Sequence, residues 1–378
     1  MTPPGRDYSW LPEHQVHAAY TLAHVDTLIE RVGQVLYDYL EPGPFMLENV
    51  VEGEVAMVRV KSVAPLPAAV ARYAADAMTQ MRAVIEHTIF AEVEYLLGWA
   101  LTGEEERAIE MPAAVSEAKF TEWLKHRRRR DLGPLQAGEL LVRRLHLLQP
   151  YQSTDVDSHP MRVLAEHTNL AKHRTPAVAA VQLGQVGLDT PDPSITTRAG
   201  GPIQGGDVLA TGPVGKLVPV TIWPQVSVQR PHTGTWRIVM KELGWLEEWV
   251  RTTAIPHLIA GTRDVTPLPP GLDITVGYDD ARAALSAAPE KSALKRAEWR
   301  IQAATARQSL TELLASHPER VAPGVIQAWL DRLDDDTVMN TAARLQTNGD
   351  LRKFDWVMRE MLAEATDHGR LISGCSST

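Results

Sequence analysis

The sequence predicts a mainly α-helical protein of the α+β class, with a β-rich insertion and a helical C-terminal domain. Three observations carry this. Apolar residues recur at helical spacing over most of the chain up to about residue 175 and again from about residue 279. Between these stretches, residues 178–240 turn rich in Val, Gly, Pro and Thr, with the strand-like runs "VGKLVPVTIWP" and "TGTWRIVMKEL". Hydrophobic residues make up 44% and charged residues 22% of the 378, an ordinary balance for a folded chain with buried cores.

Residues 11–40 read as the first helix, with Pro42 soon after its end. "FMLENVVEGEVAMVRVKSV" (45–63) alternates around Glu52-Gly53 and predicts a β-hairpin. Residues 67–102 carry the longest helical pattern, with Pro67 suited to the initial turn. Shorter helices follow at 115–125 and 134–148, separated by "HRRRRDLG". A helix over 160–174 has Ser158 as its N-cap candidate, with Pro160 in the first turn. Another helix is expected near 240–260, and "DVTPLPPGLDITVGYDD" (264–280) reads as a linker. From 279 onward the pattern is helical, broken at "SHPERVAPG" and "QTNGD". There "DRLDDDT" should begin a helix with its carboxylates at the positive dipole end. Trp299, Trp329 and Trp356 fall at apolar positions and are expected in the core. The expected organisation is a helical domain over 1–177 with its hairpin at 45–63, a β-rich segment with a closing helix over 178–263, and helices over 279–378. The last region is the candidate surface for a homodimer or a partner protein.

Several function classes are disfavoured by composition and motif. A net charge of −9 does not suit a surface coated for non-specific nucleic-acid binding, although it leaves room for a local cationic groove. The single cysteine, Cys375, provides neither an intrachain disulfide nor a thiolate metal site, which fits a reducing cytoplasm. The chain starts without a secretory pattern and has no apolar run of membrane-spanning length, so a cytoplasmic location without membrane contact is expected. "ATGPVGKL" lacks the glycine spacing and the Ser or Thr of a phosphate loop, and "HExxH" is absent. "DVDSHP" lacks the glycine and terminal glutamate of a calcium loop, leaving Asp155 and Asp157 as loop and capping residues. No metal and no cofactor are expected.

The chemistry-bearing residues gather in "HPMRVLAEHTNLAKHR" (159–174). At about 100° per residue, Arg162, Glu166, Asn169 and His173 form one polar stripe. Val163, Leu164, Leu170 and Ala171 make the apolar face, with His167 in its middle. "RAVIEH" (82–87) repeats the type order of "RVLAEH" (162–167), placing Arg82, Glu86 and His87 on the long helix. Packing of the two helices would bring Arg82, Glu86 and His87 toward Asn169, His173 and Arg174. "KHRRRRD" (125–131) is the one dense basic run. It reads as a solvated turn or as a phosphate-gripping edge through Arg128 and Arg129, extended by Arg143, Arg144 and His146.

"DAMTQMRAVIEHTIFAEV" and "LLQPYQS…HPMRVLAEHTNLAKHR" resemble the two signature helices of a widespread group of uncharacterised bacterial proteins. Their pattern reads roughly L-R-x-x-L-D-H, followed much later by L-Q-P-Y and D-K-H-R. The match sets Arg82, Glu86 and His87 at the first motif and Lys172, His173 and Arg174 at the second. Glu86 stands where the group has aspartate, and Ala171 replaces the aspartate before Lys-His-Arg. The resemblance covers about residues 10–260 and implies a helical domain with a β insertion. The Arg-x4-His spacing at 82–87 and 162–167 also resembles the motif of HEPN-domain ribonucleases. That resemblance implies metal-independent RNA cleavage, in host defence, by a protein that commonly dimerises. His87 or His173 would be the acid–base group, and Arg82, Arg162 and Arg174 would contact phosphate, with Glu86, Asn169 and Lys172 beside them. The alternative expectation is a non-catalytic structural or interaction protein whose Arg/Glu/His cluster is a buried polar network.

Overall fold

The computed structural model describes residues 6–126, 131–173, 177–188, 190–216 and 220–375. It is mainly helical with a β-rich insertion, as the sequence predicts, and its strands form two antiparallel sheets of four. Helix α1 (His17–Leu40) buries Ala18, Leu22, Val25, Ile29, Val32 and Leu36, an i, i+4, i+7 stripe that packs along α2 (Ala68–Leu97). Gly98, in the left-handed region at φ 76°, ends α2. Between them, β1 (Phe45–Glu52) and β2 (Val55–Val63) form the expected hairpin, with Gly53 at φ 62° in a two-residue turn. Helices α3 (Gly103–Glu106), α4 (Glu117–Leu124) and α5 (Leu140–Leu147) lead to α6 (Pro160–His173), which lies against α2.

The insertion supplies β3 (Ala179–Leu188), β4 (Thr196–Thr197), β5 (Gly201–Pro202), β6 (Val208–Pro213), β7 (Val220–Gln229) and β8 (Trp236–Ile238). One sheet has the order β1-β2-β6-β4 and the other β5-β3-β7-β8. The early hairpin is therefore not part of a separate N-terminal domain. Val58 of β2 pairs with Ala210 of β6, and Val58, Val60, Leu183, Val186, Leu209 and Ala210 make one small core between the sheets.

Beyond β8 the chain enters α7 (Val239–Trp249), a π-helical turn (Val250–Ala254) and α8 (Ile255–Ala260). Pro256 lacks the N–H that an α-helix would direct to Thr252, and the wider π turn just before it accommodates that loss. The turn also aims Arg251 inward, where it pairs with Glu247 and donates to the carbonyls of Leu268 (2.8 Å) and Leu22 (3.2 Å). Burial pushes the Glu247 carboxyl up, and the Arg251 guanidinium opposes this.

The Pro/Gly-rich stretch after α8 is a strap over the core and not a linker. Tyr8 and Trp10 donate to the carbonyls of Pro267 and Thr266, Arg282 donates to that of Leu11, and Leu268 and Leu272 are buried. Helix α9 (Ala281–Ala287) is capped by Asp280, and Asp26 of α1 accepts from the N–H of Ala293 at 2.7 Å. The first compact unit accordingly extends to Leu294, and the second begins at Lys295, later than the boundary read from composition. The second unit is formed by α10 (Ala293–Ala315, from Lys295 onward), α11 (Pro323–Leu330), α12 (Asp335–Arg344) and α13 (Leu351–Cys375). Its own core contains Leu314, Ile326, Trp329, Met361 and Leu362. Asp334 caps α12, as the acidic run suggests, but Trp356 is exposed where the apolar pattern placed it inside.

The buried Glu247–Arg251 pair gives a direct test of this core. Arg251→Met should cost about 3–5 kcal/mol in urea unfolding, because it leaves a buried carboxylate unpaired. Adding Glu247→Leu should recover most of that loss.

Candidate functional site

The α2–α6 seam is built by one arginine. Arg82 donates through Nε to Glu86 Oε1 at 2.8 Å, one turn along its own helix. Its Nη1 crosses to α6 and donates to Thr168 Oγ1 at 2.9 Å and Asn169 Oδ1 at 3.3 Å. Thr168 directs its own hydroxyl proton back to the Leu164 carbonyl at 2.8 Å, so its oxygen is left to accept from the guanidinium. On α6, Arg162 and Glu166 make the matching i,i+4 pair at 2.9 Å. Arg82 thus meets Asn169, as the packing argument predicts, and Thr168, which that argument missed. A threonine on an apolar helix face gives little sequence signal.

The histidines go elsewhere. About 140° of helix rotation separates His87 from Arg82. His87 is exposed on the side of α2 facing α1, its ring centroid 6.4 Å from that of His17. It does not join the seam toward which the motif placed it. His167 lies inside, only 3% exposed, and neither ring nitrogen has a hydrogen-bond partner among the described residues. Burial lowers its pKa to about 4, and the neighbouring His232 and Arg230 add to this. Lys172 is exposed on the last turn of α6. The His173 side chain, Arg174, Arg128 and Arg129 lie outside the described residues.

The first turn of α6 is capped differently from expectation. His159, not Ser158, is the residue before the helix, and its Nδ1 accepts from the Met161 N–H at 3.2 Å. Its ring packs edge-on against Trp249 at 5.5 Å, and burial lowers its pKa to about 4. The cap needs an unprotonated Nδ1, which that burial preserves. Ser158 instead accepts from Arg230 Nη1 at 3.4 Å, and Asp155 accepts from the Ser158 N–H in the loop role assigned to it.

The deepest charged pair near α6 was not anticipated. Arg230, at the end of β7, forms a two-pronged contact with Glu242 of α7, Nε to Oε1 at 2.6 Å and Nη2 to Oε2 at 3.0 Å. Its guanidinium also lies 5.1 Å from the centre of a Trp245 ring. The usable signal was Glu242 and Glu247 standing beside Leu243, Leu246 and Val250 on a helix face that needs burial.

Two arginines proposed as a phosphate edge are used within the fold. Arg143 donates twice to the Gly138 carbonyl, and Arg144 Nη1 reaches the Leu258 and Ile259 carbonyls at 2.7 and 3.0 Å, closing the end of α8. A cleft of about 450 Å³ runs between α4 and α5, lined by Phe120, Leu124, Val142 and His146 among others, and the seam residues do not line it. Among the described residues, no three His, Cys, Asp or Glu side chains are grouped to hold a metal ion.

His167 makes the fold acid-sensitive. A histidine held neutral inside and titrating near 6.5 when unfolded gives stability that is fully present above pH 6.5 and is lost as pH falls to about 4. The stability lost across this window is about 3 kcal/mol, at ~1.4 kcal/mol per pKa unit. Urea unfolding of His167→Leu should show a pH slope in this window smaller by up to one proton. Its stability at pH 7 should change by no more than about 1 kcal/mol, since no hydrogen bond is lost. No protein-family model, curated protein or solved structure matches the chain, so the resemblance of the two helices to known motifs rests on their own residues.

Proposed function

We propose that the Arg82–Glu86–Thr168–Asn169 cluster is a structural network fixing the register of α2 against α6, and that the first unit is a non-catalytic interaction scaffold. The observation that carries this reading is the use of Arg82, whose guanidinium is bound by three side chains of the protein itself. An RNA-cleaving site of HEPN-like type would turn that group to a phosphate and set an imidazole beside it. His87 faces away from Arg82, and His167 is buried and titrates well below the neutral range that suits proton transfer. Polar networks of this kind restrict a helix pair to one alignment, since sliding either helix takes Thr168 and Asn169 out of reach of the half-buried Arg82 guanidinium.

Three variants and one assay test this. Arg82→Ala should lower unfolding free energy by roughly 1–3 kcal/mol, in the range for hydrogen bonds to a charged group. His87→Ala should stay within about 0.5 kcal/mol of the parent, as surface changes do. Incubation of the parent protein with single-stranded RNA in EDTA should leave the RNA intact. Cleavage in EDTA that disappears in a folded His87→Ala or His173→Ala protein would overturn the scaffold reading in favour of the endonuclease.

A further inference from the structure

Strands β3 and β7 pair with each other and hold ten residues each, none of them charged. At the 22% charge of the whole chain, about four charged residues would be expected there. Leu183, Val186 and Ile222 turn inward to the small core between the sheets. The opposite face carries Trp223 and three glutamines. Gln185 stands opposite Trp223 and Gln182 opposite Gln225, and the irregularity at Gly184 keeps all four on one side.

Trp223 is 50% exposed. A Cβ at Gly187 would come within 2.8 Å of its Cζ3, so glycine there lets the indole lean across β3. A Cβ at Gly184 would likewise meet Gln225 Oε1 at 3.3 Å. The two glycines keep the space beside the ring and the amide free of other side chains. The amides themselves are unspent. Gln229, farther along β7, donates to the Gly234 carbonyl, but Gln182, Gln185 and Gln225 have no hydrogen-bond partner among the described residues. Gln182 is only 5% exposed, yet its amide still reaches the surface beside Gln225. So deeply buried a side chain ordinarily satisfies its polar end within the protein. Here that end opens onto the face that Gln225 and Gln185 share.

We propose that this face binds a neutral oligosaccharide, with one pyranose ring laid on Trp223 and its hydroxyls held by the amides of Gln182, Gln185 and Gln225. The chemistry of the surface selects this occupant. The C–H face of a pyranose is apolar with slightly positive hydrogens, and the indole face carries the negative part of its quadrupole. Each sugar hydroxyl both donates and accepts, as does each glutamine amide, so one amide can serve two neighbouring hydroxyls. Strands without charge suit a ligand without charge. A nucleic acid also stacks on tryptophan, but it needs cations along its backbone, and these strands supply none. A lipid tail would leave three amides unpaired. The inference rests on the outer face of β3 and β7 and not on the α2–α6 seam, so either can fail without the other.

Calorimetry and saturation-transfer NMR of the full chain with cellohexaose, chitohexaose, mannohexaose and maltohexaose test this. At least one should bind with a dissociation constant of about 0.1–1 mM, as an open face with few contacts allows, and its ring C–H protons should saturate most strongly. Trp223→Ala should weaken that binding by about tenfold or more, with an unchanged circular dichroism spectrum. Gln185→Ala, at an exposed side chain that the fold does not use, should weaken it by about threefold and reads the same site should Trp223→Ala unfold. Trp99→Ala, at a comparably exposed tryptophan, should leave it unchanged. Failure of all four sugars to bind at about 10 mM overturns the inference. So does binding that folded Trp223→Ala or Gln185→Ala leaves intact, or that Trp99→Ala weakens equally. Preference for a thymidine dodecanucleotide over every sugar overturns it as well.

Discussion

Helix α2 must be enclosed, and the first unit is arranged around that requirement. Its buried residues, from Val70 through Val93, spread over about half of the helix circumference. One neighbour cannot cover so wide an arc. Helices α1, α6, α7 and α8 all pack against it, and their apolar stripes merge into a single core. Arg82 sits near the border of this arc, beside Met78 and Ile89 and away from His87. Its position explains why its charge must be answered by partners on α6.

The same enclosure explains the deep ion pairs. Helix α7 needs to bury Leu243, Leu246 and Val250, yet Glu242 and Glu247 are buried with them. Each carboxylate is met by an arginine, Arg230 from the end of β7 and Arg251 from the π turn. Such pairs add little net stability over apolar residues of the same size. What they supply is discrimination, because a strand end or helix placed one step out of register would strand a charge in the core. Strand β7, helix α7 and the strap near Leu268 are located by these contacts.

The sequence made the helices, the hairpin, the β-rich insertion and the Arg82–Asn169 approach legible, since each follows from local periodicity. It was less informative wherever a long-range partner decides the outcome. The hairpin looked self-contained, because nothing local in β2 announces that β6 will pair with it. Proline and glycine over 264–280 suggested a linker, but the carbonyls freed by those residues accept from Tyr8, Trp10 and Arg251. The echo between Arg82–His87 and Arg162–His167 set each arginine one turn from a glutamate, and both couples form i,i+4 ion pairs. It misled for His87, because which side of a helix is buried depends on its neighbours: α6 turns His167 inward, as its place on the apolar face predicts, whereas α2 leaves His87 outside.

The pairing of β2 with β6 also has a consequence for biosynthesis. The two partners are separated by about 150 residues of chain. At roughly 5–20 residues per second, the ribosome needs on the order of 10–30 s to deliver β6 after the hairpin has emerged. Throughout that delay β2 offers a free edge as long as that of β1, and the hairpin is a two-sided ribbon. Nascent chains crowded on one message would meet while both sides are open, so this sheet is where co-translational misassembly would begin.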